Sequence, residues 1–398
     1  MSEETSALVV GKNQESRATL LRFLEGAGYK ATTANCGEQA LDIINRIGVT
    51  LVLCDWTIEG MSGEDFCTHI RNSAGDKYIY FIFYSADLKV KETQALNVGA
   101  DDIISVPLDR DDFNARIKGA ERIIRLQEKL AARNDFLEFA YANVTTDLKI
   151  AAKVQEDLLP RQFRLAGLDT NWVFKPANFV AGDMFDYFPL GSDYFIFYIL
   201  DVEGHGIASA LTSFAINNQI NPSSHGLCAQ TLYKNPDMSD AVVATLQNLN
   251  RQFESNLNSS RYFTMIYGII EVSTGKVTLT QAGHPSPIHL QKETKKAVPL
   301  GDGGMPVGLL KDADYSSVGC SLKAGDRLFL YSDGMLECEN NEGEFYGSDR
   351  LIKRIQEWRD LPIDELGDLF DGEITQWNGS ANFDDDVSMV ILEYTGKR

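Results

Sequence analysis

The stretch Ile196-Phe197-Tyr198-Ile199-Leu200-Asp201-Val202-Glu203-Gly204-His205-Gly206 decides how this chain reads. Its apolar start reads as a buried strand, and the glycines that follow mark a turn whose backbone needs unusual dihedrals or close approach. Asp201 is therefore delivered straight from a buried strand, where an unpaired carboxylate is costly unless something positive sits nearby. Three further turns share this character: Ala181-Gly182-Asp183, Ser332-Asp333-Gly334 after the apolar run 328–331, and Asp384-Asp385-Asp386. An Asp beside Gly is, alone, most often a turn residue. Four such turns in one region are harder to dismiss. No Lys or Arg adjoins them, so a divalent metal is the economical partner, and oxygen-only ligation with waters points to Mg²⁺ or Mn²⁺ rather than zinc.

Around this constellation, strands are expected over 194–200, 262–271, 276–281 and 327–331, with helices near 207–218 and 240–256. Strand clusters with separate helices predict an α+β layered domain over 160–398. The polar segment 221–240, with two prolines, reads either as a flap over a site or as an inert surface loop. Towards the N-terminus, 112–159 contains no proline. Apolar or small residues recur there with 3/4 spacing at Ile123, Leu126, Leu130, Leu137, Ala140, Val144, Ala151, Val154 and Leu158. That spacing predicts a long helical linker, ended by Pro160. The seam is a candidate coiled coil and makes a homodimer the expected state, although Arg133 and Asp147 interrupt it. The alternative is a helix that packs only on its own domains.

Residues 1–120 alternate short apolar runs (7–10, 31–33, 51–54, 79–84, 103–106) with amphipathic stretches (15–24, 38–47, 63–71, 89–98). This is the pattern of a doubly wound α/β domain with a five-stranded parallel sheet. Its site would lie at the carboxyl ends of the strands, where Gly11, Lys12, Asp55, Ser85 and Val106 converge.

The chain has 398 residues, 44% hydrophobic and 24% charged, so two or three folded units of roughly 100–200 residues are expected. With 37 Lys and Arg against 57 Asp and Glu, the net charge of −20 repels phosphate backbones and anionic lipid. Nucleic acid and membrane surfaces are thus not expected as partners. No apolar run reaches the ~18 residues of a membrane span and the start lacks the basic residues of a secretory signal, so a cytoplasmic location is expected. The six cysteines form no C-x-x-C pair, which argues against a disulfide framework or a zinc knuckle.

Two resemblances sharpen these readings. From about 151 to 392 the chain resembles the metal-dependent PPM (PP2C-like) Ser/Thr protein phosphatases of the stage-II-sporulation-E and stress-phosphatase type. The motifs occur in family order: Val154 to Pro160, Ala181 to Asp186, Asp201 to Gly206, Ala282-Gly283-His284-Pro285, Gly304 to Gly308, Tyr331 to Glu337, and Asp385-Asp386-Val387-Ser388. Ala181 stands where the family commonly has Gly. The resemblance implies an αββα sandwich and two Mn²⁺ or Mg²⁺ ions. Asp183 and Asp201 would hold the metal pair, with Asp201 bridging and the Val202 carbonyl as a main-chain ligand, while Asp333 and Asp385 complete the other side. It further implies hydrolysis by an activated water without a covalent enzyme intermediate. Asp384 and Asp386 are candidates for orienting the ligands. His205 and His284 read either as general acids for the departing Ser or Thr oxygen or as braces of their glycine-flanked turns.

Residues 1–120 resemble a response-regulator receiver. Asp55 matches the phospho-acceptor, and Ser85 and Pro107 match their family positions. Gly11 and Lys12 replace the acidic pair, Val106 replaces the lysine, and Ile103 stands where many receivers carry an aromatic. Losing both carboxylates weakens the Mg²⁺ site that phosphoryl transfer needs, so an atypical receiver is expected. Lys12 is expected either to pair with Asp55 or to point to solvent.

Together the resemblances imply a response-regulator phosphatase acting on phosphoserine or phosphothreonine. Its implied substrate is a STAS-type anti-sigma-factor antagonist, with a sensor kinase or sigma factor as further partners. The rival reading is a non-enzymatic adaptor that holds a sigma factor for sequestration or proteolysis. Retention of all four metal carboxylates favours the enzyme.

Overall fold

Strict alternation of apolar side chains organises the first unit. In the computed structural model, which describes residues 6–73, 77–85, 92–162, 164–165, 167–220, 227–234, 237–256 and 261–396, the chain divides into Met1–Val144 and Thr145–Arg398. The first unit runs β1 (Ser6–Val10), α1 (Gln14–Gly26), β2 (Lys30–Ala34), α2 (Gly37–Ile47), β3 (Leu51–Asp55), α3 (Gly63–Ser73), β4 (Tyr80–Ser85), α4 (Glu92–Asn97) and β5 (Asp102–Ser105). The strands form a parallel sheet in the order β2-β1-β3-β4-β5. Leu8, Val10, Val52 and Cys54 join one core, while Ala7, Val9, Leu51 and Leu53 join the other, so the central strands are covered on both faces. Asn13 starts α1 by accepting from the amides of Glu15 and Ser16 at 2.9 and 3.1 Å. Of the helix expected over 89–98, residues 89–91 lie outside the described residues.

Helix α5 (Arg110–Leu158) is longer at its start than the spacing indicated, because Asp109 Oδ1 accepts from the amides of Asp111 and Asp112, both at 2.9 Å. Phe113, Ile117, Ala120 and Ile124 bury one stripe in the first unit. Beyond them Leu126, Leu130, Leu137 and Val144 are all more than half exposed. Among the described residues no helix is long and apolar enough to cross a membrane.

The second unit contains β6 (Arg164–Leu165), β7 (Leu168–Lys175), β8 (Met184–Leu190), β9 (Tyr194–Val202), α6 (Ile207–Ile220), α7 (Leu227–Lys234) and α8 (Met238–Asn256). It continues with β10 (Phe263–Glu271), β11 (Lys276–Ala282), β12 (Ile288–Leu290), β13 (Ala297–Pro299), β14 (Ser317–Ser321), β15 (Arg327–Tyr331), α9 (Asp333–Glu337), α10 (Gly347–Glu357), α11 (Ile363–Asn378) and β16 (Val387–Tyr394). Two antiparallel sheets form, β14-β11-β10-β9-β8 and β13-β12-β15-β16-β7-β6. Leu328, Leu330, Val390 and Leu392 share a core with the first of these sheets. Their strand neighbours Phe329, Tyr331, Met389 and Ile391 instead pack with α9, α10 and α11. On the other side Tyr198 donates to Asn217 of α6. The period-2 split of each strand thus builds an αββα sandwich. The segment 221–240 is not a plain loop: α7 lies within it, whereas 221–226 and 235–236 fall outside the described residues.

Candidate active site

The four aspartate turns meet where the two sheets end. Asp183 immediately precedes β8, Asp201 is the penultimate residue of β9, Asp333 opens α9 straight after β15, and Asp384 to Asp386 lead into β16. Because β8 pairs with β9 and β15 with β16, each sheet contributes two of the turns. A Cβ on Gly182 would stand 3.0 Å from the Val202 carbonyl oxygen and 3.2 Å from that of Gly204. A Cβ on Gly334 would stand only 2.1 Å from the Asp386 carbonyl oxygen. Both glycines allow backbone turns to touch, which is how the carboxylates are drawn together.

The charge arrangement is unfavourable without a cation. Asp183 is buried and neither carboxylate oxygen has a hydrogen-bond partner. Ser332 and Ser388 lie near enough to favour its ionised form without completing a hydrogen bond, since the Ser332 hydroxyl donates to the Asp386 carbonyl at 3.2 Å. Burial, followed by Asp201 and Asp386, holds the Asp183 carboxyl well above the usual range. Burial, followed by Asp333, Asp385 and Asp386, pushes Asp201 up to about 8. Asp333 is raised by burial, Asp385 and Glu337. Every neighbour that raises these groups is another carboxylate, so they are protonated or share a cation.

Burial also raises Asp386, against the amides of Ala177 and Gly182, which donate to its two oxygens at 2.7 Å each. Asp386 thereby braces the Asp183 turn. Asp384 and Asp385 border an open cleft of about 370 Å³, together with Asp201, His205, Glu337 and Phe345. Asp384, a candidate for orienting the ligands, stands on the wall of this cleft beside Asp385. Among the described residues no three Asp, Glu, His or Cys side chains close on one point as a finished cage. The orphaned, fully buried Asp183 beside Asp201 is the feature that fits a divalent ion: only a cation or a proton satisfies it.

The two histidines part company. His205 is exposed and lines the cleft. His284 is buried, is not among the residues lining the cleft, and has its pKa pushed down to about 3 by desolvation, which favours the brace over the general acid.

A role for Gln155 was not legible in the sequence, although it stands in the Val154 to Pro160 motif. It is buried in the last turns of α5, where its Nε2 donates to the carbonyls of Ala181 at 2.9 Å and Asp183 at 3.4 Å. Its Oε1 accepts from the Ala181 amide at 2.9 Å. A polar residue near the proline stop of a helix was the available signal.

In the first unit, Asp55 ends β3 and Ser85 ends β4. Asp55 Oδ1 accepts from the Thr57 amide at 3.0 Å. Lys12 points to solvent, the second of the two alternatives, with its ammonium 3.5 Å from exposed Glu59 and no ion pair to Asp55 among the described residues. A Cβ on Gly11 would lie 2.0 Å from the Tyr84 hydroxyl, which donates to the Val10 carbonyl at 3.0 Å. A phenol thus takes the room of an acidic side chain, and these residues do not fit the Mg²⁺ ion of an ordinary receiver.

Fold and carboxylate cleft define a receiver domain followed by a PP2C-like phosphatase domain. Residues 191–395 match the family described as stage II sporulation protein E (SpoIIE), and residues 7–118 match the response regulator receiver domain. The chain belongs to the SpoIIE family. It is 28% identical over 251 residues to phosphoserine phosphatase RsbU of Bacillus subtilis (strain 168), covering 63% of this chain and 70% of the relative. It is 23% identical over 252 residues to phosphoserine phosphatase RsbP of the same organism, covering 63% of this chain and 58% of that one. Among solved structures, the SiaA-PP2C domain of Pseudomonas aeruginosa superposes with a TM-score of 0.55 at 18% identity, covering 64% of this chain and 98% of that domain. That likeness concerns the fold.

Proposed function

We propose that this chain hydrolyses phosphoserine or phosphothreonine on a regulatory protein, with Asp183, Asp201, the Val202 carbonyl, Asp333 and Asp385 holding two Mn²⁺ or Mg²⁺ ions. The observation that carries this reading is the buried, unpartnered Asp183 carboxylate packed against Asp201 at the end of an acidic cleft. When bound, such ions acidify a water and neutralise phosphoryl charge. The chain's own residues do the rest. Asp386 and Gln155 fix the Asp183 turn through main-chain hydrogen bonds to Gly182 and Ala181. The cleft admits a phosphorylated side chain, and His205 on its wall is placed to give a proton to the departing hydroxyl oxygen.

The substrate is a phosphorylated STAS-type anti-sigma-factor antagonist in a partner-switching circuit, a reading supported by the likeness to RsbU and RsbP. Receiver and α5 control the activity by favouring one state of the catalytic domain. The exposed apolar residues of α5 support a homodimer through that helix; sedimentation of Leu130→Glu and Leu137→Glu variants as monomers is the expected result. Hydrolysis of p-nitrophenyl phosphate with Mn²⁺ or Mg²⁺, compared with Asp201→Asn and Asp333→Asn, tests the activity. Metal-dependent turnover lost in both variants supports it, and absence of turnover in the intact chain overturns it in favour of the adaptor. Release of phosphate from a phosphorylated STAS protein then tests the substrate.

A further inference from the structure

His284 is buried, polar and outside the cleft. Its Nδ1 lies 2.7 Å from the Thr264 hydroxyl, and its Nε2 has no hydrogen-bond partner of proper geometry. The main chain of Tyr331 lies close enough to favour the protonated ring. Thr264 sits on β10 directly opposite Asp201 in the antiparallel register, so the two side chains share one face of that sheet. Tyr331 ends β15, two residues before Asp333. The turn carrying His284 is further tied to that strand, because the Tyr331 hydroxyl donates to the Ser286 carbonyl at 2.8 Å. Gln281 Nε2 donates to the His284 carbonyl at 2.5 Å, which fixes the turn from the β11 side.

We infer that His284 and Thr264 form a positioning pair that ties β10 to the turn between β11 and β12, which the Tyr331 hydroxyl in turn holds to β15, and so keeps the Asp201 and Asp333 strands at a fixed spacing. The inference rests on the phosphatase reading and adds residues that touch neither substrate nor ion. Its physical basis is repulsion: Asp201 of one sheet and Asp384 and Asp385 beside the other border one cleft, so like charges push the two sides apart. A tie that resists this keeps the carboxylates at the spacing that the ions need. A buried imidazole suits the task, since its Nδ1 meets Thr264 on β10 while its own turn is held to β15 through Ser286 and the Tyr331 hydroxyl.

The test is direct Mn²⁺ binding by titration calorimetry on the full chain, without substrate, for wild type, Thr264→Val, His284→Gln and the double variant. Thr264→Val keeps the side-chain volume and removes only the hydroxyl, so it carries the test even if His284→Gln fails to fold. The expected result is Mn²⁺ affinity weakened about 10-fold or more in Thr264→Val, in the range typical of residues behind a metal ligand. Turnover of p-nitrophenyl phosphate recovers as Mn²⁺ is raised, KM for the ester is unchanged, and the double variant is no weaker than the single ones. Wild-type affinity in Thr264→Val, or additive losses in the double variant, overturns the pair. Wild-type protein that neither binds Mn²⁺ nor hydrolyses the ester overturns the phosphatase reading itself, and the inference with it.

Discussion

Replacing Gly334 by alanine places one methyl group where the site has no room. The new Cβ would lie 2.1 Å from the Asp386 carbonyl oxygen and 3.0 Å from its carbonyl carbon, whereas ordinary contact begins near 3.4 Å. Both obstructing atoms are backbone, so no side chain can swing aside. The Asp385–Asp386 segment must retreat by about 1 Å, at an overpacking cost of about 1–3 kcal/mol. For a domain of this size that lowers Tm by about 2–4 °C per kcal/mol. The effect on chemistry exceeds the effect on stability, because a ~1 Å misplacement of a reacting group can cost ~100-fold in rate. The assay is Mn²⁺-dependent hydrolysis of p-nitrophenyl phosphate beside a thermal melt, with Gly372→Ala as control. Gly372 lies in α11, where an added methyl group would meet nothing within 4 Å, so that change is neutral or stabilising by about 0.5–1 kcal/mol. Wild-type turnover in folded Gly334→Ala would refute the claim that this contact sets the carboxylate spacing.

Three further outcomes are expected. Gln155→Ala leaves the Ala181 amide and the Ala181 and Asp183 carbonyls without their partner, at about 1–3 kcal/mol for a buried group left unsatisfied, so both Tm and Mn²⁺-dependent turnover fall. In chelator-treated protein the Asp201 carboxyl titrates near 8 instead of its ordinary 3.8, so the folded state holds a proton that the unfolded state releases. Stability from this group is therefore full below about pH 4 and lost as pH rises to about 8; melts should show Asp201→Asn more stable than wild type at pH 8, with the gap closing towards pH 4. In the receiver, Gly11→Asp destabilises by collision with the Tyr84 hydroxyl at 2.0 Å, and Tyr84→Phe in the same chain restores much of the loss; an unchanged melt for Gly11→Asp alone would show that the phenol does not fill that space.

Much of this architecture is visible in the residues themselves because its causes are local. Period-2 alternation in 7–10 and 51–54 sorts the receiver strands between two cores, and the apolar run before Asp201 gives β9 its place in the sandwich. Convergence of the carboxylates depends on which strands neighbour one another and on close approaches such as Gly334 to Asp386, so it entered through family likeness rather than periodicity. Lys12 points to solvent, one of the two alternatives its sequence left open, and stands near Glu59 because the β3–α3 loop brings that carboxylate close. Two features escaped. Helix α7 was hidden by the weak apolar pattern of its eight residues between prolines. Gln155 looks like an ordinary polar helix residue until the turn it binds, some 26 residues later, is folded onto it.

The two aspartate-centred sites of this chain differ in how charge is handled, and that difference bears on control. In the phosphatase unit, carboxylates accumulate without a compensating cation, so the site gains from anything that delivers positive charge. In the receiver the acidic pair is gone, Tyr84 fills the space over Gly11, and Lys12 is drawn to Glu59. A phosphoryl group on Asp55 would lack the ion and the lysine that ordinarily neutralise it, leaving little differential free energy with which to drive a change of state. A conformational equilibrium moves only as far as a ligand's preference for one state over the other. On the proposed control of the phosphatase through the receiver and α5, the input that fits is a contact rather than a phosphoryl group. That helix is covalently continuous from the receiver's core at Ile124 to Gln155, whose side chain holds the Asp183 turn. A contact that favours one setting of its last turns acts on the carboxylates through main-chain hydrogen bonds, with no phosphoryl chemistry in the receiver at all.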